Sequence, residues 1–388
     1  MDGRMIRKKI CIVSTVPIPL QVFMREHVER LSEFYDITLL CSGDGRELKS
    51  MLNTRVSFKS ISIERKISIV ADVCALIALI RIFRQQRYDC VHSLMPKAGL
   101  LAMLGAWLAR IPVRIHIFTG QVWFAKTGVA RIILKWMDRV VAACATHLLA
   151  DSPSQRDFLI QESVVKPAKI KVLGQGSISG VDMQRFKFDR LARQTVRSEL
   201  NIGANAVVFL FLARLTHVKG IQNLTRAFAT IEEEMPNAQL LIVGPDEDGL
   251  TPQLERDWAD CAHKVHRVNY TNKPEHYMSA SDVFCLPSAL EGFSSATIQA
   301  AGVGLPAIVS HIYGLTDAVK GDVTGLFHET TNLGQIQDAM LRLYTDETLR
   351  KQMGEAAQRR AYQDFSQDVI VEAMRQYYAD VLGGQSHA

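Results

Sequence analysis

Short apolar runs alternate with helix-length amphipathic runs from one end of this 388-residue chain to the other. That alternation belongs to parallel sheets whose strands are joined by helical crossovers. In the first half the strands are expected at 9–14, 36–41, 56–63, 89–94, 113–118, 147–150 and 169–173. Helices are expected between them at 22–33, 67–86, 98–110, 129–144 and 152–161. The second half repeats the pattern, with strands at 207–212, 239–243, 265–269, 282–286, 307–310 and 325–328. Its helices are expected at 221–235, 273–280, 294–303, 332–345, 347–362 and 367–382.

A chain of this length exceeds one ordinary core, so two domains are the expectation. The densest Gly/Ser stretch, Gly174 to Gly180, is where the linker is placed. The fold class is therefore α/β, with two Rossmann-like, doubly wound parallel-sheet domains facing across a cleft. Ligands of such sheets bind outside the carboxyl ends of the strands, which makes that cleft the expected active site.

Charge separates the halves. Residues 1–180 carry 26 Lys+Arg against 14 Asp+Glu, and the remainder carries 19 against 26. A basic half seeks an anionic partner. No zinc-finger spacing, RNA-binding aromatic motif or helix-turn-helix signature accompanies the charge, so an anionic membrane surface carrying a phosphorylated lipid is preferred to nucleic acid. Arg81 to Arg87, with Arg131, Lys135 and Arg139, form a candidate membrane-contact face, with plain solvated surface as the alternative.

The seven cysteines are scattered without a C-x-x-C pair and read as reduced core thiols of a cytoplasmic protein. The N-terminal apolar run is interrupted by Pro17 and Pro19 and reads as a strand and turn, not as a signal peptide. The apolar stretches 67–83 and 98–108 are too polar or too short to span a bilayer.

The first strand is followed by Thr15-Val16-Pro17-Ile18-Pro19 where a nicotinamide-dinucleotide protein would carry G-x-G-x-x-G. Chemistry is expected in the second half instead. Pro287 to Gln299 closes an apolar strand, passes through a turn carrying Glu291, and opens a helix near Gly292 and Ser294. Free N–H groups at a helix start favour phosphate, and a carboxylate beside them accepts from sugar hydroxyls. Arg214 and Lys219 follow another strand of the same sheet, where a forked donor and a point charge suit one diphosphate. The Asp246-Glu247-Asp248 loop offers an Asp-x-Asp to a divalent cation, but cationic side chains already serve the diphosphate, so no metal and no cofactor are expected.

Taken together, Arg214-x4-Lys219-Gly220, Gly180-Val181-Asp182, Pro287-Ser288-x-x-Glu291-Gly292-Phe293, Ala300 to Pro306, Gly314 to Val319 and Thr324-Gly325-Leu326 resemble the retaining family-4 glycosyltransferases of the GT-B fold. In the first half, His116 to Trp123 looks like the bacterial surface-polysaccharide and lipid-linked glycan branch of that family. The resemblance implies domains at 1–178 and 179–365, with 366–388 as a terminal helix returning to the first.

It also implies a peripheral enzyme at the inner face of the cell membrane. Such an enzyme moves a hexosyl or N-acetylhexosaminyl group, with retention, from a nucleotide-diphosphate donor, UDP-linked by expectation. Its acceptor is a polyprenyl-diphosphate-linked glycan in O-antigen, capsule or exopolysaccharide assembly. Arg214, Lys219 and Glu291 are the implied catalytic residues, and with Gly292, Phe293, Ser294 and Gln299 they make up the donor site. Gln299 stands where the family carries a second acid for the ribose. Thr119, Gly120, Gln121 and Lys97 are candidate acceptor contacts, and His92 is a weaker one.

His116 is a candidate base, although a lone strand histidine reads more readily as a structural residue. A nucleotide-sugar 2-epimerase of the same fold and a catalytically weak nucleotide-sugar-binding homologue remain open.

Overall fold

The computed structural model describes residues 7–43, 45, 48, 50, 55–64 and 68–383. The chain forms two compact units, one ending at Ser179 and resuming at Gln367, the other Gly180–Ser366.

The first unit holds seven parallel strands in the order β3-β2-β1-β4-β5-β6-β7. They are β1 (Lys9–Val13), β2 (Asp36–Cys41), β3 (Val56–Ser60), β4 (Cys90–Leu94), β5 (Val113–Phe118), β6 (His147–Ala150) and β7 (Ile170–Val172). β1 pairs with β2 through Ile12 and Leu39 and with β4 through Ile12 and His92. Alternate side chains enter two cores. Cys11, Val13 and Val91 lie in one with the 96–108 helix, and Ile10, Ile12 and Cys90 lie in the other with Met374 and Tyr378 of the Gln367–Gly383 helix.

The second unit holds six parallel strands in the order β10-β9-β8-β11-β12-β13. They are β8 (Val207–Leu212), β9 (Ala238–Val243), β10 (Val265–Val268), β11 (Val283–Leu286), β12 (Ala307–Ser310) and β13 (Gly325–His328). β8 is apolar throughout because helices cover both of its faces. The Ile221–Ile231 helix buries Ile221, Leu224, Phe228 and Ile231, one stripe of a 3.6-residue period. At the lower end of the sheet Asp282 accepts from Arg193 at 2.8 Å, Arg197 at 2.7 Å and the Val208 N–H at 2.8 Å, locking the Arg190–Glu199 helix to β8 and β11.

The expected helix at 22–33 is broken. Pro17–Pro19 form one helical turn, Leu20–Met24 follow with π-type bonding, and Arg25–Ser32 form the regular helix. Prolines early in a helix withhold N–H groups and shift the bonding pattern. The expected helix at 221–235 ends at Ile231 and continues as a tighter turn, Glu232–Glu234. The beginning of the expected 67–86 helix lies outside the described residues, and the helix is described from Ile69. Six of the seven cysteines are buried, and Cys74 on the Ile69–Gln86 helix is exposed, against the core reading given to all seven.

Candidate functional site

In both sheets the strand order reverses beside the first strand, between β8 and β11 in the second unit and between β1 and β4 in the first. Loops diverge at such a switch point and leave a crevice at the strands' carboxyl ends. In the second unit, the β8 loop carries Arg214 and Lys219 and the β11 loop carries Glu291.

Backbone geometry holds these two loops against each other. Gly220 has φ +70°, and a Cβ there would lie 2.0 Å from the Pro287 carbonyl oxygen. Only glycine allows that approach. The Ala289 N–H donates to the Val218 carbonyl at 2.7 Å, and the Ser288 hydroxyl donates to the same oxygen at 3.2 Å. A third loop, after β12, closes beneath them, because a Cβ on Gly314 would meet the Gly292 carbonyl oxygen at 2.5 Å. Lys219 Nζ consequently reaches Glu291 Oε1 at 2.5 Å, with the two side chains 20% and 10% exposed.

Arg214 points to a different carboxylate. Its Nη1 donates to Glu247 Oε2 at 2.6 Å in an exposed pair. The acidic loop after β9 is bonded to the cationic loop along its length. The Leu215 N–H donates to the Pro245 carbonyl, the Glu247 N–H to the Leu215 carbonyl, and the His217 N–H to Asp248 Oδ2. Burial raises the Asp246 pKa, but hydrogen bonds from the Thr251 hydroxyl and N–H, and from the Leu250 and Gly249 N–H groups, outweigh it and bring it to about 2. Among the described residues no cluster of His, Cys, Asp and Glu is arranged to hold a metal ion.

The Ser295–Val303 helix opens beside Glu291. Ser294 caps it by accepting from the Thr297 N–H and hydroxyl, so the Ser294 hydroxyl oxygen serves the helix. Gln299 lies one turn in, half-buried, with no hydrogen-bond partner among the described residues. The side chain of Phe293, a residue expected at the donor, packs in the core of the unit, its ring 5.3 Å from that of Phe365.

In the first unit Thr119 and Gly120 are half-buried just past β5, and Gln121 is buried, accepting from Gln155 at 3.3 Å. The Gln121 amide nitrogen has no partner among the described residues. Lys97 is paired with Asp72 at 2.7 Å. His116 departs from the expectation of a base. It is 2% exposed, bonded through Nδ1 to the Ser93 hydroxyl at 2.8 Å, and packed so closely on Gly99 that a Cβ there would lie 2.4 Å from the ring. Burial lowers its pKa to about 3, opposed by the Ser93 hydrogen bond. His92, also enclosed, bonds to the Tyr378 hydroxyl at 2.6 Å.

Three cations of the candidate membrane-contact face have partners within the unit. Arg131 and Lys135 pair with Glu162 and lie over the Trp123 ring, while Arg139 donates to the carbonyls of Ser163 and Glu162. The same Gly128–Cys144 helix instead presents Val129, Ile132, Ile133 and Trp136 to the outside, each more than half exposed and spaced as a single stripe. Ile69, Val70 and Val73 are likewise exposed at the start of the Ile69–Gln86 helix. Charge counting alone missed these stripes; the i, i+3, i+4, i+7 spacing was the available signal. No helix among the described residues is long and apolar enough to cross a membrane.

Two family models match the chain. "Glycosyl transferase 4-like domain" covers residues 20–176, and "Glycosyl transferases group 1" covers residues 192–360. The chain is 28% identical over 383 residues to the capsular polysaccharide biosynthesis glycosyltransferase CapM of Staphylococcus aureus, spanning 98% of both chains. It is 27% identical over 382 residues to the UDP-Gal:alpha-D-GlcNAc-diphosphoundecaprenol alpha-1,3-galactosyltransferase of Escherichia coli, spanning 96% of this chain and 97% of that one. Among solved structures, Anabaena HepE in complex with UDP superposes with a TM-score of 0.80 at 16% identity over 96% of this chain and all of that chain. The sucrose-phosphate synthase of Thermosynechococcus elongatus does so with 0.80 at 18% over 97% of this chain and all of that one.

Proposed function

Because the chain belongs to the group 1, 4-like glycosyltransferases of GT-B fold that act in polysaccharide biosynthesis, we propose that it moves a hexosyl or N-acetylhexosaminyl group, with retention, from a UDP-linked donor to a polyprenyl-diphosphate-linked glycan. The observation that carries this reading is the meeting of Lys219 and Glu291 on the two loops of the switch point, with Arg214 on the same cationic loop. The named substrates of the Escherichia coli relative, a UDP-linked galactose and a diphosphoundecaprenol-linked sugar, support the choice of donor and acceptor class.

In this reading the bond between the anomeric carbon and the β-phosphate oxygen breaks, and negative charge gathers on the departing diphosphate. Lys219 and Arg214 neutralise that charge where it develops, and the N–H groups of the first turn at Ser295 add to it. Glu291 accepts from a sugar hydroxyl while its partner Lys219 turns to phosphate, and the Gly292 backbone allows the sugar close approach. Gln299 faces the ribose. The acceptor oxygen bonds to the same face that the diphosphate leaves, and its proton passes to the leaving phosphate. Cationic side chains hold the diphosphate without a metal. Thr119, Gly120, Gln121 and Lys97 meet the acceptor, with Lys97 released from Asp72 to an acceptor phosphate.

The apolar stripe Val129, Ile132, Ile133 and Trp136, flanked by the cations of the same helix, supports peripheral contact with an anionic bilayer that holds the acceptor. Such contact belongs at the cytoplasmic face of the membrane.

Incubating the purified protein with UDP-, GDP- and dTDP-sugars, with and without a membrane lipid extract, tests the reading. Sugar transfer to lipid from a UDP-sugar, with the anomeric configuration kept in the product, is expected. Conversion of a nucleotide sugar without any acceptor would instead identify an epimerase, and binding without turnover would identify a noncatalytic homologue.

A further inference from the structure

Both cations of the β8 loop are already matched to carboxylates, but the two pairs differ in kind. Lys219 and Glu291 are largely enclosed, whereas the side chains of Arg214 and Glu247 are 58% and 46% exposed. Glu247 is the one partner of the Arg214 guanidinium among the described residues. Its neighbours in the acidic loop are committed elsewhere, Asp246 to Leu250 and Thr251 and Asp248 to the His217 N–H. These bonds, with the backbone bonds from Leu215 and Glu247, fix the acidic loop against the cationic one and leave Glu247 aimed at Arg214.

We infer that Glu247 is a positioning residue that holds Arg214 as a stand-in for the donor's diphosphate and takes it back when the nucleoside diphosphate leaves. This rests on the donor-site reading above and extends it to a residue outside that site's expected set. The physical case lies in the exposure of the pair. A solvent-exposed ion pair contributes little to stability, so exchanging one anionic partner for another is nearly free, whereas a buried pair would resist it. A guanidinium can also pass between anions without losing its donors, because it offers five N–H groups in one plane. A fixed carboxylate beside the diphosphate weakens binding of every nucleotide that reaches Arg214, and it acts most on the product, whose terminal phosphate carries the larger charge. Glu247 therefore favours release over retention.

Titration calorimetry with UDP on the full chain tests this, at low salt and at about 0.5 M salt, where exposed charges are largely screened. Glu247→Gln should bind UDP roughly two- to fivefold more tightly than wild type at low salt, the range that one exposed ion pair spans. The gain should shrink at high salt, and Glu247→Asp should restore most of the wild-type affinity. In an Arg214→Gln background the Glu247→Gln change should lose at least half of its effect, and the thermal midpoint should stay within about one degree because the pair is exposed. In steady state the variant should show lower KM for the donor without higher kcat. Unchanged or weaker UDP binding by Glu247→Gln, or an equal gain without Arg214, would overturn the exchange. Failure of the wild type to bind UDP, GDP or dTDP would overturn the donor-site reading beneath it.

Discussion

Lys219 Nζ stands 2.5 Å from Glu291 Oε1, although the two residues come from loops after different strands. The pair is partly enclosed, so its members depend on each other. Lys219→Met leaves the Glu291 carboxylate without its cation, which costs about 1–3 kcal/mol for a buried group and lowers the thermal midpoint. Glu291→Gln keeps a hydrogen-bond acceptor for Lys219 and should leave the midpoint nearly unchanged. On the proposed donor site both should reduce kcat/KM by at least about a hundredfold, since one would remove a charge beside the leaving diphosphate and the other a sugar contact. Near-normal turnover in either would show that the donor lies elsewhere.

Gly220→Ala should damage folding and nucleotide binding together. The residue is left-handed, and its Cβ would overlap the Pro287 carbonyl, so the β8 and β11 loops must separate. A loss of about 2–4 kcal/mol in urea unfolding is expected, of the size seen for strained backbone sites. A UDP affinity at least tenfold weaker should accompany it. Gly203→Ala is the control, because nothing lies within 4 Å of its added Cβ. Equal behaviour of the two variants would mean that the loops are not coupled through Gly220.

Gln299→Glu should tighten nucleotide binding. The side chain is half-buried with no partner among the described residues, and a carboxylate accepts from both ribose hydroxyls where a carboxamide must match one acceptor and one donor. Charge-assisted bonds of this kind are worth about 1 kcal/mol over neutral ones, or roughly a fivefold gain. Calorimetry with UDP reads it directly. An unchanged dissociation constant would mean that Gln299 does not face the ribose.

Mild acid should unfold the first unit. Burial lowers His27 to about 4, His92 to about 3 and His116 to about 3, while in the unfolded chain each titrates near 6.5. For a base whose folded pKa is lowered, the stability present above the unfolded pKa is lost as pH falls. The three together withdraw about 4 kcal/mol per pH unit between pH 6.5 and 4. Asp138 works against them. Burial raises it to about 6, opposed by the bond from Trp123, so its burial penalty is relieved below pH 6 at about 1.4 kcal/mol per unit. Urea midpoints at pH 7, 6 and 5 should fall steeply, with the tryptophan emission changing early because Trp107, Trp123 and Trp136 all lie in this unit. A flat profile would mean that the histidines are solvated.

The parallel strands were the most legible part of the fold. β2, β5, β6, β8, β12 and β13 begin and end at the expected residues, because a strand buried on both faces is written as a continuous apolar run bounded by turn residues. The Arg190–Glu199 helix was missed. Its buried stripe is narrow, centred on Ala192 and Val196, and one of its inward residues is Arg197, whose charge is satisfied by Asp282 far away in the chain. The short Thr251–Asp257 helix was missed for want of length.

At the candidate site, residue types and spacing pointed to Arg214, Lys219 and Glu291. Nothing in their spacing showed that Lys219 would meet Glu291 while Arg214 met Glu247. That division depends on which loops lie side by side, a property of strand order. The inward orientation of the His116 and Phe293 side chains was illegible for the same reason, since period-2 alternation and core packing decide which way each side chain points.

The second unit also has an unusual relation between its own ends. The Val181 N–H donates to the Phe365 carbonyl at 2.8 Å, and Val181 pairs with Ser366 as a parallel bridge. A segment whose first and last residues are hydrogen-bonded neighbours can be lifted out and replaced as one cassette without stretching the chain on either side. On the proposed function, donor choice would thereby be separable from acceptor choice at the level of the gene. In that reading, a single crossover pair bracketing residues 180–366 would join one lineage's donor unit to another lineage's acceptor unit.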